Sequence, residues 1–422
     1  MQLIQPLKYI KYAFIAACVV MPWNATAINH VGLTDQLLNK KLGHNLVESL
    51  LVKSLLEITE GKTKQAFDTV NELIRTAPNF KLAYLIRGDL LTSQSHVLTG
   101  FGDSNAIETP ATPSSEQIAD LRDEARTRIE YYLSDKKSSL MPNLFVKLSA
   151  EQENIIVVDT AKSRLYWYKK VDGALQYAAD FYVTVGKNGV GKQIQGDKRT
   201  PLGVYFAGAK LTQPLNDIYG DAAFPLNYPN EIDQHQNKNG SGIWLHGTPS
   251  GTYSRPPRAS DGCVVLSNPD LKTLEPILQS GKTPVIIADK LEWLASDQSS
   301  AQSKMLVSNQ EALQKAIEAW RKDWVSQDTE EYLSHYSKKF FYSDGGLSQW
   351  GDYKRGIQAS KPKVAIQIND ISMFGYPGFE QPVVVVNFEQ DFKSAALQNK
   401  MRKRQYWTNE NNQWKIIYEG AG

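Results

Sequence analysis

The chain has 422 residues, of which 41% are hydrophobic and 22% are charged. This composition is typical of folded domains and excludes a disordered, collagen-like or multi-span membrane protein, and the length suggests about three domains. Lys and Arg number 47 against 45 Asp and Glu, so the net charge is only +2. Nucleic-acid binders usually carry a basic excess, which argues against nucleic acid as a partner. Two cysteines, Cys18 and Cys263, are too few for a disulfide scaffold or a Cys-rich zinc site.

The first 27 residues have the three parts of a secretory signal peptide. Lys8 and Lys11 precede an apolar run over residues 12–21, and the small residues Ala25 and Ala27 follow. The run is too short for a permanent membrane span. We therefore predict cleavage after Ala27 and a periplasmic location. An uncleaved anchor and lipidation at Cys18 are the alternatives.

Cleavage leaves Cys263 as the single cysteine of the mature chain. Oxidising compartments favour cysteines that are paired or absent, so a lone exported thiol is a candidate nucleophile. A buried, inert cysteine is the alternative interpretation.

The rest of the chain divides into three regions. Over residues 28–140, which we call the helical region, apolar residues recur with a period near 3.6. A tetratricopeptide-like helix-turn-helix and a plain helical bundle both fit this pattern. A loop rich in Gly, Ser, Thr and Pro lies over residues 100–115, and a charged helix is predicted over Ser115–Leu133.

Residues 150–292, the central region, change to a strand pattern. Apolar runs at 155–158, 181–185 and 285–287 are separated by turn signals such as Asp172-Gly173. This predicts a β-rich domain with long loops. The stretch Ser296–Ser303 is rich in Ser, Gln and Ala and reads as a linker.

Residues 305–422, the C-terminal region, have a helical pattern first and strands afterwards. Ala312, Ala316, Ala319, Trp320 and Trp324 are predicted to share one helical face. Apolar strand patterns follow over 383–388, 404–407 and 414–418. This order predicts an α+β domain with a curved antiparallel sheet.

A histidine and a cysteine in the central region suggest nucleophilic catalysis. His246-Gly247 lies 17 residues before Cys263, which ends the sequence Ser260-Asp261-Gly262-Cys263. A free thiol has a pKa of about 8.5 and is mostly protonated near neutral pH, so a neighbouring imidazole is needed to take the proton. Gly262 permits a tight turn before the cysteine. Backbone N–H groups near Gly262 and Cys263 are candidates to hold a developing oxyanion.

These motifs resemble the catalytic signature of the YkuD family of L,D-transpeptidases, in which His-Gly is followed by Ser/Thr-His-Gly-Cys. Residues 183–187 and 200–205 also resemble family elements, namely a strand with a glycine and a Thr-Pro-x-Gly-x-Tyr/Phe sequence. The matches span most of residues 154–289. The resemblance implies a β-rich fold and acyl transfer on peptidoglycan stem peptides, without a metal or organic cofactor.

The resemblance also implies roles for individual residues. Cys263 would attack the carbonyl of the third stem residue, usually meso-diaminopimelate, with loss of D-Ala and formation of a thioester. His246 would act first as the base and then as the acid. The backbone carbonyl of Gly247 would orient His246, while Ser260 and Gly262 would shape the oxyanion pocket.

Two positions depart from the family pattern. Asp261 stands where the family usually has a second histidine, and Val265 stands where it usually has an arginine. Arg255 or Arg258, in the preceding loop, is the candidate cation for a substrate carboxylate, with a solvated loop charge as the alternative. Because a carboxylate beside a thiolate would disfavour it, Asp261 is expected to point away. Tyr219 lies in a segment where family members often present a substrate loop.

The three-part layout resembles a subgroup of the family from helical and curved bacteria. Its members have a helical N-terminal domain and a C-terminal nuclear-transport-factor-2-like (NTF2-like) domain, trim tetrapeptides to tripeptides and affect cell shape. The resemblance of the catalytic region predicts an L,D-transpeptidase, whereas the three-part layout favours the L,D-carboxypeptidase alternative, and spacing alone does not decide the acceptor of the thioester. An amine makes the enzyme a transpeptidase, water makes it an L,D-carboxypeptidase, and the same nucleophile serves an amidase that releases peptidoglycan-linked protein.

A non-catalytic cell-wall scaffold is the competing class of function. Protein partners are expected, if at all, at the N-terminal helices or the C-terminal region, and the sequence does not predict an oligomeric state.

Overall fold

The computed structural model describes residues 45–95, 97–98, 100–102, 114–134, 140–144, 146–295, 301–359, 363–395 and 397–422. The predicted signal peptide lies outside the described residues, as does most of the predicted linker. Across the described part of the chain, no helix is both long and apolar enough to cross a bilayer.

The helical region contains four described helices: α1 (Leu46–Thr59), α2 (Thr63–Thr76), α3 (Lys81–Thr92) and α4 (Ser115–Leu133). The predicted bounds of the charged helix α4 are confirmed. Its start is fixed by a capping box in which the side chains of Ser114 and Gln117 satisfy each other's backbone N–H groups. Apolar side chains of α1–α3, among them Leu51, Leu73 and Ile86, are fully buried in one core.

The central region and the short strands at its two ends contain these strands and helices: β1 (Leu140–Pro142), β2 (Val146–Lys147), β3 (Asn154–Asp159), β4 (Arg164–Val171), β5 (Ala174–Tyr182), β6 (Val185–Gly186), β7 (Gly203–Phe206), β8 (Ala223–Pro225), α5 (Glu231–His235), β9 (Trp244–His246), β10 (Arg258–Ser260), β11 (Val264–Val265), α6 (Asn268–Leu274), β12 (Pro284–Ala288) and β13 (Trp293–Ala295).

The main sheet of the central region has the strand order β5-β4-β3-β12-β7. Strand β12 pairs parallel with β3 and antiparallel with β7, which makes β12 and β3 inner strands. Every residue over 155–158 and 284–288 is buried, because both faces of these strands are covered. The predicted apolar strands are confirmed at these positions.

The single strand predicted over residues 181–185 is wrong, because the chain changes sheets there. β5 ends at Tyr182, and β6 begins at Val185 in a different, two-stranded sheet with β10. Between them Val183 donates its N–H to the carbonyl of Ser163, and Thr184 pairs with Val265. A third sheet has the order β11-β9-β8.

The C-terminal region contains α7 (Ala301–Ser326), α8 (Thr329–Ser334), β14 (Tyr336–Tyr342), β15 (Gly345–Gly346), α9 (Leu347–Gln358), β16 (Val364–Tyr376), β17 (Val383–Ser394), β18 (Gln398–Glu410) and β19 (Gln413–Ala421). Their sheet has the order β15-β14-β19-β18-β17-β16-β2, with long antiparallel pairs from β16 to β19. The predicted order of helix before antiparallel strands is confirmed. Strand β2, which precedes the central region, completes one edge of this sheet.

Two details of the C-terminal prediction are wrong. Helix α7 already begins at Ala301, so the last residues of the predicted linker are helical. The buried face of α7 carries Leu313 and Ile317 together with Trp320 and Trp324, whereas Ala312 is exposed. Of the predicted alanines, Ala316 packs against this core and Ala319 is half-buried, so Ala312 is the one that the prediction misplaced.

Candidate active site

The third sheet brings the predicted cysteine and histidine together. β9 ends at His246, and its parallel partner β11 begins directly after Cys263. Val264 lies opposite Leu245, and Val265 lies opposite His246. Continued by one residue, this register places Cys263 opposite the residue two positions before His246. Because side chains alternate between the faces of a sheet, a cysteine in this continued register faces the same side as His246.

The imidazole of His246 is held in one orientation. Its Nδ1 lies 2.7 Å from the carbonyl oxygen of Gly247, and the ring of Tyr219 packs edge-on at 5.2 Å. A carbonyl only accepts hydrogen bonds, so Nδ1 carries the proton and Nε2 of the neutral ring keeps its lone pair. Gly247 is required here, because a Cβ atom at this position would lie 1.9 Å from Oδ1 of Asn268.

Burial keeps this imidazole neutral. Only 3% of His246 is exposed, and the loss of solvent lowers its pKa to about 4. Hydrogen bonds to the backbone of Gly247 and of Tyr219 oppose the shift, while the positive charge of Arg255 adds to it. At neutral pH the ring is therefore ready to accept a proton.

The thiol of Cys263 is protonated for the same reason. Cys263 is 8% exposed, and its Sγ donates to the carbonyl oxygen of Gly242 at 3.3 Å. Burial raises the pKa of Cys263 to about 11, although a backbone hydrogen bond from Trp244 and the positive charge of Arg255 both act to lower it. The resting pair is thus a thiol and a neutral imidazole, and not a thiolate and an imidazolium.

The turn before Cys263 is built by the two residues predicted to support it. Ser260 Oγ donates to the carbonyl of Cys263 at 2.7 Å and accepts the N–H of Gly262 at 3.1 Å. Gly262 has a φ of +121°, and a Cβ atom there would lie 2.7 Å from the carbonyl oxygen of Arg199. Only glycine fits this conformation and this close approach.

Thr200 supports this turn from another part of the chain, a role that the sequence did not suggest. Its Oγ1 donates to the carbonyl of Gly262 at 3.0 Å and accepts the N–H of Gly186 at 2.9 Å. The threonine is fully buried. In the sequence, only its position as the first residue of the Thr-Pro-x-Gly motif pointed to Thr200. A motif does not predict which backbone groups the hydroxyl will hydrogen-bond.

The two candidate arginines have different surroundings. Arg255 is half-buried, and its charge acts on both His246 and Cys263. Among the described residues it forms no ion pair within 4 Å, although Asp261 and Cys263 raise its pKa against the lowering effect of burial. Arg258 is exposed on β10 and also has no ion pair with a described residue. The structure therefore brings Arg255, and not Arg258, to the reactive pair.

The two departures from the family pattern differ in their exposure to solvent. The side chain of Asp261 is 80% exposed and pairs with Lys198 at 3.4 Å. Its negative charge nevertheless contributes to the raised pKa of Cys263, so the expectation that it leaves the thiol unaffected is not confirmed. Val265 is buried opposite His246. In the described part of the chain, no group of three or more His, Cys, Asp or Glu residues is arranged to hold a metal ion.

The geometry agrees with the comparison of this chain with known families. Residues 153–287 match the YkuD model, described as an L,D-transpeptidase catalytic domain. The chain carries a YkuD L,D-transpeptidase catalytic domain. Residues 312–420 match the Cds6 C-terminal NTF2-like domain. The predicted family and the predicted C-terminal fold are confirmed, and a YkuD domain supports a function of the L,D-transpeptidase family that is directed at peptidoglycan.

Two solved structures match this chain over nearly their whole length. Bd1075 of Bdellovibrio bacteriovorus is 26% identical with a TM-score of 0.56, and the match covers 67% of this chain and 98% of that one. The helical cell shape determining protein Pgp2 of Campylobacter jejuni is 27% identical with a TM-score of 0.55, covering 68% of this chain and 96% of that one. The comparison with curated proteins gave no match. The predicted multidomain layout, with helices before the YkuD domain and an NTF2-like domain after it, is confirmed.

Proposed function

We propose that the protein is an exported cysteine acyltransferase that removes D-Ala from peptidoglycan stem tetrapeptides through a thioester on Cys263. The observation that carries this proposal is the placement of Cys263 and His246 on one face of two parallel strands, with Nδ1 of His246 bound to a carbonyl. A thiol and a neutral imidazole with a free Nε2 are what general-base activation of a cysteine requires.

In the first step Sγ of Cys263 bonds to the carbonyl carbon of the third stem residue. The thiol proton passes to Nε2 of His246, which then gives it to the amine of the departing D-Ala. The developing oxyanion needs backbone donors. Since the N–H of Gly262 is already bound to Ser260 at 3.1 Å, we assign the N–H of Cys263 as the first donor, with Ser260 and Gly262 shaping its position.

In the second step we propose water as the main acceptor, which makes the protein an L,D-carboxypeptidase that yields tripeptides. The match over nearly the whole length of a helical cell shape determining protein favours this choice. It agrees with the resemblance to the subgroup that trims tetrapeptides. The small exposed fraction of Cys263, 8%, also favours a small acceptor. His246 takes a proton from water, and the thiolate regains it when the thioester breaks.

Transpeptidation, in which an amine of a second stem takes the acyl group, is the second candidate and rests on the match to the L,D-transpeptidase domain itself. The amidase reaction and the non-catalytic scaffold have no observation in their favour beyond the shared fold.

Two further residues complete the proposed site. Arg255, which has no ion pair among the described residues, is suited to hold a substrate carboxylate by two parallel hydrogen bonds. Tyr219 contacts His246 and Trp244, with ring centroids 5.2 and 4.8 Å apart, and is placed to bound the substrate on the histidine side. The proposed location is the periplasm, where this substrate occurs.

The test uses the purified chain from residue 28 onward and its Cys263→Ala variant, each incubated with disaccharide-tetrapeptide. Products are resolved by mass spectrometry, and circular dichroism verifies that the variant is folded. We expect tripeptide and free D-Ala from the parent chain and neither from the variant. Dimers formed with loss of D-Ala would instead establish a transpeptidase, and the absence of any Cys263-dependent product would contradict both candidates.

A further inference from the structure

The loop between His246 and Cys263 touches the helical region. Residues 248–258, which we call the Arg255 loop, run from the end of β9 to the start of β10. We propose that helix α4 positions Arg255 through a hydrogen bond between Glu124 and Ser254, so that the helical region sets the affinity for substrate. This inference rests on the proposed function, in which Arg255 binds a substrate carboxylate.

Between the Arg255 loop and the described residues of the helical region, the structure has three hydrogen bonds. Ser254 Oγ donates to Oε1 of Glu124 at 2.5 Å. The backbone N–H of Tyr253 donates to the carbonyl of Asn79 at 3.1 Å, and Nδ2 of Asn79 donates to the carbonyl of Ser250 at 3.0 Å. The loop is thus bound to the helices at the residue directly before Arg255.

The ring of Tyr253 adds an apolar contact to these hydrogen bonds. Only 7% of Tyr253 is exposed, and its ring lies 5.0 Å from that of Phe80. Tyr253 belongs to the core of the helical region, and not to the core of the central region that surrounds it in sequence. Removing this part of the loop from the helices would therefore expose buried apolar surface.

The opposite side of the loop is bound to the sheet. The carbonyl of Arg255 accepts hydrogen bonds from the hydroxyl of Tyr182 and from Oγ1 of Thr184, both at 3.0 Å. The guanidinium of Arg128, on α4, lies 3.7 Å from the ring centroid of Tyr182. Helix α4 therefore contacts the loop on both sides of Arg255. Glu124 binds Ser254, and Arg128 packs on Tyr182, whose hydroxyl binds the carbonyl of Arg255.

A buried charge cluster fixes α4 against the catalytic sheet. Glu124, Arg128, Glu48 and Arg164 are each less than 10% exposed. Arg128 bonds Oε1 of Glu124 at 2.8 and 3.0 Å and also pairs with Glu48, which in turn pairs with Arg164 of β4 at 2.5 Å. Removing one member would leave an uncompensated buried charge, so this arrangement resists displacement of the helix.

Because Ser254 and the carbonyl of Arg255 are both hydrogen-bonded, the backbone of Arg255 is fixed and mainly its side chain can still change conformation. Its guanidinium acts on Cys263 and His246 and has no ion pair within 4 Å among the described residues. A ligand that binds a prearranged cation loses less conformational freedom than one that must order a mobile loop. Loss of the Ser254 tether should therefore weaken binding and leave the chemical step nearly unchanged.

The experiment measures tetrapeptide binding by calorimetry to the Cys263→Ala chain, which cannot turn over. It compares Ser254→Ala, Arg255→Ala and the double variant, with Glu130→Gln as a control on the exposed face of the same helix. We expect Ser254→Ala to raise Kd about tenfold, because the ligand must then order the loop that carries Arg255. Arg255→Ala should raise Kd at least as much, and the double variant no more than Arg255→Ala, because both act through one contact.

Two results would overturn the inference: an unchanged Kd in Ser254→Ala, or losses that add in the double variant. Hydrogen exchange supplies a second measurement, because amides of residues 248–258 should exchange faster in Ser254→Ala and not in Glu130→Gln. Turnover by the chain that retains Cys263 is assayed separately. Failure of the proposed function appears there as absent D-Ala release, whereas failure of the positioning role appears as unchanged binding or exchange.

Discussion

At the scale of single residues, burial sets the protonation of both reacting groups. A buried site penalises whichever form carries the charge, which lowers the pKa of His246 to about 4 and raises that of Cys263 to about 11. In the proposed reaction, proton transfer from thiol to imidazole therefore accompanies the attack on substrate. The charge of Arg255 favours the thiolate and disfavours the imidazolium.

This protonation state predicts the pH dependence of the reaction. The base form of His246 is lost only when pH falls through about 4, so kcat/KM should stay level well below the ordinary histidine pKa of about 6.5. The measurement is a profile of D-Ala release against pH at low substrate concentration. An acid limb near 6.5 would contradict the neutral, buried imidazole.

The rate of alkylation tests the raised pKa of the Cys263 thiol in the same way. With a pKa of about 11, Cys263 should react with iodoacetamide near neutral pH roughly 300-fold more slowly than a free cysteine of pKa about 8.5. The same chain unfolded in urea should react like free cysteine. Equal rates in the folded and unfolded chains would show that the thiol is not protected.

At the scale of elements, the conformation of the reactive turn depends on a segment more than sixty positions away. The hydroxyl of Thr200 joins Gly186 of β6 to Gly262, and Ser260 closes the turn from within. These bonds connect the short two-stranded sheet to the loop that carries Cys263. Since all of them are buried, a lost partner leaves an unsatisfied polar group.

Replacing Thr200 tests this connection. Thr200→Val keeps the size of the side chain but leaves a buried carbonyl and a buried N–H without their partner, at a cost of about 1–3 kcal/mol each. We expect a lower free energy of unfolding in denaturant and reduced D-Ala release. Thr200→Ser keeps the hydroxyl and serves as the control. If the valine variant behaves like the serine variant, the hydroxyl does not support the turn.

At the scale of the whole molecule, the NTF2-like domain is bonded to a helix of the catalytic domain. Glu231 of α5 accepts from Arg404 at 2.9 Å and from the hydroxyl of Tyr406 at 2.7 Å. Asn230 donates to the hydroxyl of Tyr376 at 2.9 Å. The helix at this interface precedes Gly242, the acceptor of the Cys263 thiol, by only a few residues.

Glu231→Ala should loosen this interface. Arg404, whose side chain is 12% exposed, would lose its counter-ion, and Tyr406 would lose its acceptor. We expect a loss of about 1–3 kcal/mol, seen in calorimetry as unfolding of the NTF2-like domain at a lower temperature than the rest. Glu380→Ala, at an exposed loop position of the same domain, is the control. An unchanged unfolding profile for Glu231→Ala would show that the domains are held by other contacts.

The sequence by itself determined the features that depend on local pattern. A charged stretch predicted helix α4, and short apolar runs predicted the buried strands β3 and β12, because a strand that is covered on both faces needs apolar side chains at every position. The motifs around His246 and Cys263 predicted the YkuD domain that carries them, which is confirmed, and the catalytic roles of the two residues stay predictions. The periodicity of α7 predicted Trp320 and Trp324 on its buried face but missed Leu313 and Ile317, because the shape of the sheet beneath decided which side chains it covers.

Only the tertiary structure decided the features that depend on contacts between distant segments. In the folded chain Arg255, and not Arg258, acts on the thiol. The strand predicted over 181–185 is divided between two sheets, and Thr200 hydrogen-bonds two backbone groups. The fold also joins the Arg255 loop to helix α4, more than a hundred residues earlier in the chain. The physical reason is that burial and hydrogen-bond geometry depend on distance in space, and a single sequence records only distance along the chain.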